Sequence, residues 1–244
     1  MESDNEGDRN GGKIAIPTAN HKATLWLRPS GQGQALLWPA GYRKLTEFRI
    51  HLLIRVLEIE EANRSDEIRW IDDRAKKFKD RDYEGPGPAD DAFWVEETRE
   101  LVEHLAIIGL YRTVELMTKQ ILSHVYGRES KRLRRCSVWR NFECLLLNDY
   151  GVALRNIAGS TSIDELRLLS NCIKHNGIVD EKLAKYPGWA KGTFIKETRS
   201  HFQRFGSVVP SYVEDLAKKL NSYLVQYLPA PRPPSSEDLG LLEN

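Results

Sequence analysis

Cysteine is scarce in this 244-residue chain, and the three present, Cys136, Cys144 and Cys172, show neither CxxC pairing nor metal-ligand spacing. An odd, unpaired set argues against a disulfide framework and points to a reducing cytoplasm. Long apolar runs are missing as well. No stretch approaches the roughly 18 residues that cross a bilayer, so no membrane partner is expected. Nor is there an excess of charge of one sign, since 36 Lys+Arg nearly balance 35 Asp+Glu. No global field therefore draws nucleic acid or lipid, and a polyanion site has to come from a local patch. The opening "MESDNEGDRNGG" is acidic and polar, unlike a signal peptide. P-loop, GxGxxG, HExxH and GxSxG patterns are all absent, so neither cofactor nor metal is expected.

What is present is helical periodicity. Hydrophobic residues at 41% and charged residues at 29% suit a globular protein. Residues 1–40 read as a flexible arm, Gly/Asn/Asp-rich at first. Its "ATLWLRPSGQGQALLWPAG" is either a small hairpin or an extended strap carrying Trp26 and Trp38. From 41 onward Leu45, Phe48, Leu52, Val56 and Ile59 recur at helical steps and predict one amphipathic face. Ser65, followed by Asp66 and Glu67, reads as the N-cap of a second helix carrying Ile68, Ile71, Ala75 and Phe78. "GPGP" at 85–88 breaks the chain.

The longest helical stretch runs from Ala89 to Gly127. Trp94, Leu101, Leu105 and Ile108 lie on one face, and Leu110, Val114, Met117, Ile121 and Val125 on the next. A helix apolar over so wide an arc belongs at the centre of a bundle. Glu96, Glu97, Glu100 and Glu103 read as an exposed acidic face. A basic connector, "RESKRLRR", precedes a shorter helix over "SVWRNFECLLLNDYG". "PSYVEDLAKKLNSYLVQYL" predicts a final helix through Tyr212, Leu216, Leu220, Tyr223 and Tyr227, and 229–244 a disordered Pro-rich tail. Trp70, Trp139 and Trp189 read as core anchors. The expected fold is all-α, an irregular bundle over 41–228.

The best-bounded helix is "SIDELRLLSNCIKHNG" at 162–177. Ser162 and Glu165 have the spacing of a capping box, and Asn176-Gly177 supplies a left-handed stop. Leu166, Leu169 and Ile173 share one face, while Arg167, Asn171 and His175 fall at successive four-residue steps on another. An imidazole in the last turn, with an amide and a guanidinium on its stripe, has the parts for acid–base work on a phosphodiester. A solvated polar stripe with a dipole-complementing His accounts for the same spacing. Cys172 faces the apolar side, which argues against a Cys–His nucleophile.

"ELRLLSNCIKHNG" resembles the motif region of HEPN domains, α-helical bundles found in toxin, antiphage-defence and RNA-processing proteins. The family pattern is an Arg, usually a polar residue such as Asn next, and a His four to six positions after the Arg. Asn171, Lys174 and His175 match it, whereas the Arg slot is Ser170. Arg167 lies earlier, with seven residues between it and His175, about 12 Å along the axis. Arg99 and His104 meet the literal spacing better, but Glu100 follows the Arg and His104 borders an apolar stripe, so His104 reads as a buried or boundary histidine.

The resemblance covers about residues 90–228 and implies a metal-independent RNase or RNA-binding protein of toxin or antiphage-defence type. Such proteins bring two motifs together in a homodimer, and a protein partner such as an antitoxin is a further expectation. His175 would then be the acid or base and Asn171 its orienting or phosphate-binding neighbour. Arg167 would stand in for the stabiliser of transition-state charge. Lys174 and the connector residues Lys131, Arg132, Arg134 and Arg135 would track the RNA backbone. Ser170 in the Arg slot points equally to a non-catalytic HEPN-like scaffold or regulatory module.

Overall fold

A computed structural model describes residues 38–77, 87–126 and 139–227. The N-terminal arm up to residue 37, Phe78, Gly127, the basic connector with Lys131, Arg132, Arg134 and Arg135, and the Pro-rich tail lie outside the described residues. The described chain forms five α-helices: α1 Pro39–Lys77, α2 Pro88–Tyr126, α3 Trp139–Tyr150, α4 Ser160–His175 and α5 Thr198–Tyr227. Single 3₁₀ turns occupy Leu154–Asn156 and Leu183–Lys185. Among the described residues there is no strand, only an isolated bridge between Ile178 and Phe194. The all-α bundle expected from periodicity is what forms.

Each of the first two helices is 39 residues long, about 58 Å. They run antiparallel. Leu53 packs against Gly109, Arg64 pairs with Glu96 at 2.7 Å, and Arg74 pairs with Asp91 at 2.8 Å. Gly109 permits this approach, because a Cβ there would stand 2.9 Å from Leu53 Cδ2. The expected break at Ser65 does not exist. Residues 60–65 hold no Pro or Gly, and the Ser65 hydroxyl donates back to the Glu61 carbonyl at 2.9 Å, as an interior helical serine can.

The core lies where α2, α4 and α5 meet. Ile107, Leu110, Met117 and Ile121 from α2 are fully buried with Leu166 and Leu169 from α4, and with Phe205, Tyr212 and Leu216 from α5. The central position expected for α2 is therefore correct. α5 begins twelve residues before the Pro210 where the sequence suggested a start, and Pro210 sits inside it. Phe202, Phe205 and Val209 carry the buried stripe through that region, and this burial outweighs the hydrogen bond that a proline omits. Glu103 of α2, expected on an exposed face, is instead 2% exposed. Its carboxylate accepts from the Arg199 backbone N–H at 3.2 Å and the Thr198 hydroxyl at 3.4 Å, capping the positive end of α5. Arg99 donates to the same group at 2.9 Å.

The apolar stripe read from α1 does not face this core. Leu45, Phe48, Leu52, Val56 and Ile59 are exposed, as are Trp94, Leu101 and Leu105 on α2. The side of α1 that packs inward carries Thr46, Ile50 and Leu57 instead. Trp70 is likewise exposed, under the Arg74 guanidinium at 5.2 Å. Trp139 and Trp189 do pack against the core as expected.

Gly159, the residue before α4, has φ +74°, and a Cβ there would collide with Val208 Cγ1. Gly159→Ala should therefore cost at least about 1–2 kcal/mol from backbone conformation alone. Urea denaturation measures this, and a loss below about 0.5 kcal/mol contradicts the geometry.

Candidate functional site

α4 ends where the sequence places its stop. The Asn176 and Gly177 N–H groups both donate to the Cys172 carbonyl, at 3.1 and 2.9 Å, and Gly177 takes φ +66°. Its start differs from expectation. The helix begins at Ser160, Gly159 holds the N-cap position, and no side chain caps it. Glu165 cannot complete a capping box because it faces inward, its side chain 6% exposed. Its carboxylate is bound by Arg204 of α5 through two hydrogen bonds, at 2.6 and 3.0 Å, and receives the Trp189 indole N–H at 2.8 Å. A buried carboxylate requires such partners, and here they fasten α4 to α5 and to the segment between them.

With Glu165 turned inward, the phase of the helix sets the rest. Arg167 is half-buried and bound to Asp164 through Nε at 2.8 Å and a terminal nitrogen at 2.7 Å. Its guanidinium lies 5.4 Å over the Trp139 ring. Asp164 also accepts the Tyr186 hydroxyl at 2.7 Å, and this carboxylate, after burial itself, helps raise the Tyr186 pKa. Arg167 is thus committed to a partner one turn toward the helix start, away from His175. Asn171 is half-buried, while Lys174 and His175 are exposed at the helix end. The Lys174 ammonium lies 5.7 Å from the centre of the Tyr111 ring on α2. Ser170, in the Arg slot, is fully buried and its hydroxyl has no hydrogen-bond partner among the described residues. Cys172 is buried and its thiol pKa is pushed up by that burial, so it is not an activated nucleophile.

Arg99 and His104 also fail to form a site. Arg99 is held by Glu96 and Glu103, and His104 is half-buried with Glu100 3.8 Å away.

A different titratable cluster, missed from the sequence, surrounds Glu165. The His201 ring stacks on Trp189 at 4.4 Å and 28°, and Arg204 lies 3.4 Å from its Nδ1. Its members are separated by 24 and 39 positions from Glu165, so no local spacing announces them. A cleft of about 400 Å³ lies where α1, α2 and the start of α5 meet, a second of about 450 Å³ runs along α1 and α5, the two share Arg199 and Gln203, and no residue of α4 lines either. Among the described residues no group of three or more His, Cys, Asp or Glu could hold a metal ion. No described helix is long and apolar enough to cross a membrane. The sequence matches no family model, and no curated protein or solved structure matches it either.

Burial, and secondarily Arg204, lowers the His201 pKa from its ordinary 6.5. A lowered folded-state value means that the native state resists the proton that the unfolded chain accepts. The contribution of neutral His201 is complete above 6.5 and falls as the pH drops toward the folded-state value. The stability difference between wild type and His201→Gln should therefore favour wild type more at about pH 7.5 than at about pH 5.5. Urea titrations at both values check this, and an equal or reversed difference contradicts it.

Proposed function

We propose that this chain is a HEPN-like helical interaction module, a scaffold or regulatory partner, and not a self-sufficient ribonuclease. One observation carries the reading. The position that should offer an Arg beside His175 is a fully buried serine, and the nearest Arg on the same stripe is committed to Asp164 and Trp139. Phosphoryl transfer without a guanidinium lacks the group that neutralises charge on the transition state, a loss usually worth several kcal/mol. A reducing, cytoplasmic setting belongs to the same proposal, since Cys144 is a free, exposed thiol.

A second reading has an observation of its own. His175 and Asn171 make no side-chain hydrogen bond among the described residues, and Lys174 stands exposed beside them. An imidazole and an amide without side-chain hydrogen bonds, beside an exposed lysine whose ammonium lies over the Tyr111 ring, are suited to RNA binding, or to cleavage if a second protomer or partner brings the Arg.

The test is incubation of the purified chain with structured RNAs in EDTA, beside His175→Ala. The module reading predicts intact RNA in both. Cleavage to cyclic phosphate ends that His175→Ala abolishes would replace it with the ribonuclease reading. Arg167→Ala should lower stability by about 1 kcal/mol through loss of its half-buried ion pair, with no change in RNA integrity.

A further inference from the structure

We infer that the projecting end of the α1–α2 hairpin docks a cationic amphipathic helix of a partner protein. The inference rests on the module reading and deepens it, naming the element that binds and the chemistry of what it takes. It uses no residue of α4.

The two long helices outrun the rest of the bundle. α5 begins at Thr198, beside Glu61 of α1 and Glu103 of α2. From Ala62 to Lys77, α1 therefore continues for about 24 Å with, among the described helices, only the Pro88–Val102 part of α2 beside it. Two described side chains are buried in this end, Ile71 and Val95, while Trp70, Leu101 and Trp94 are 56%, 58% and 65% exposed. At about 100° per residue, these three lie on the side of the hairpin turned away from α5. Lower down, α5 supplies a third layer that buries the hairpin. No described helix does so here, although helices of this length owe most of their stability to such packing.

Charge selects the occupant. Between Ala62 and Lys77 and between Pro88 and Val102 the chain carries nine carboxylates against six Arg or Lys. Five of those cations are paired within this end: Arg64 and Arg99 with Glu96, Arg69 with Asp66, Arg74 with Asp91, and Lys76 with Asp73. Lys77, at the tip, is the sixth. Glu67 stands one turn before Trp70, and Glu97 one turn after Trp94. Neither has an Arg or Lys partner among the described residues, and Glu100 has only His104, 3.8 Å away. The exposed indoles are thus flanked by carboxylates in excess of cations. A second copy would set like charge against like, and RNA or anionic lipid would be repelled. A Lys- and Arg-rich helix is complementary. Its charged ends reach Glu67 and Glu97, its stems and guanidinium groups lie on the indoles, and its apolar side meets Leu101. Arg74, 5.2 Å over the Trp70 ring, already shows the first of these rings holding a cation.

The probe is a fluorescein-labelled peptide of about 16 residues with Leu and Lys at helical spacing, beside the same peptide with Glu for every Lys. Anisotropy with the full chain in about 0.15 M salt should show saturable binding of the Lys peptide and none of the Glu peptide. Trp70→Ala, and separately Glu67→Lys with Glu97→Lys, should weaken that binding about tenfold or more at unchanged helicity. Phe194→Ala, on an exposed residue outside the hairpin, should leave it unchanged. A Lys peptide that fails to bind overturns the inference, as does binding that the hairpin substitutions leave intact. Binding of RNA or of phosphatidylserine vesicles that Trp70→Ala abolishes overturns it too and reassigns the surface. RNA cleavage would refute the module reading while leaving this docking surface standing, so the two can fail separately.

Discussion

The arrangement of the carboxyl-terminal half depends on one buried carboxylate. Glu165 carries its charge into a nearly closed interior, where an unpaired anion would cost several kcal/mol. Arg204 and Trp189 offset that cost, and in doing so they fix three things together. They lock α4 to α5, they draw the segment between these helices across the outside, and they set the rotation of α4 about its own axis. The last matters most. Turned this way, the helix buries Ser170 and Cys172, hands Arg167 to Asp164, and leaves Lys174 and His175 in solvent. The functional reading follows from that phase.

A second carboxylate performs a corresponding task at the very start of α5. Glu103 meets the first turn of that helix, where the backbone N–H groups lack internal partners, and Arg99 balances its charge. With α5 secured by Glu103 near its start and by Glu165 one turn further on, the two long helices α1 and α2 need only one face each to complete the bundle. Their other face stays apolar without disturbing the fold. That separation leaves, among the described residues, a core on one side of the hairpin and exposed apolar side chains on the other.

The sequence was informative where periodicity and local stops decide the outcome. The central α2, the Asn176-Gly177 stop and the burial of Cys172 all follow from residue steps of three and four and from glycine at a left-handed position. It misled where two local signals looked alike. Ser65-Asp66-Glu67 resembles a helix start, yet within a continuous helix the serine bonds back to Glu61. Pro210 resembles a first-turn proline, yet Phe202, Phe205 and Val209 make the preceding turns too apolar to leave unburied. The stripe from Leu45 to Ile59 was correctly read as a face, but periodicity cannot say whether a face meets this chain or another. The site was legible only in part. His175 at a helix end could be read from spacing, while the commitment of Arg167 to Asp164 and Trp139, and of Glu165 to Arg204, is tertiary.

The most direct test of the central role given to Glu165 is a double-mutant cycle with Arg204, in which Glu165→Ala, Arg204→Ala and the double variant are unfolded in urea. Because Arg204 is half-exposed, solvent screens the pair, and the predicted coupling is about 1–2 kcal/mol, with the double variant more stable than the sum of the single losses implies. Additive losses, with coupling below about 0.3 kcal/mol, would contradict the account, since α4 would then be oriented by packing alone.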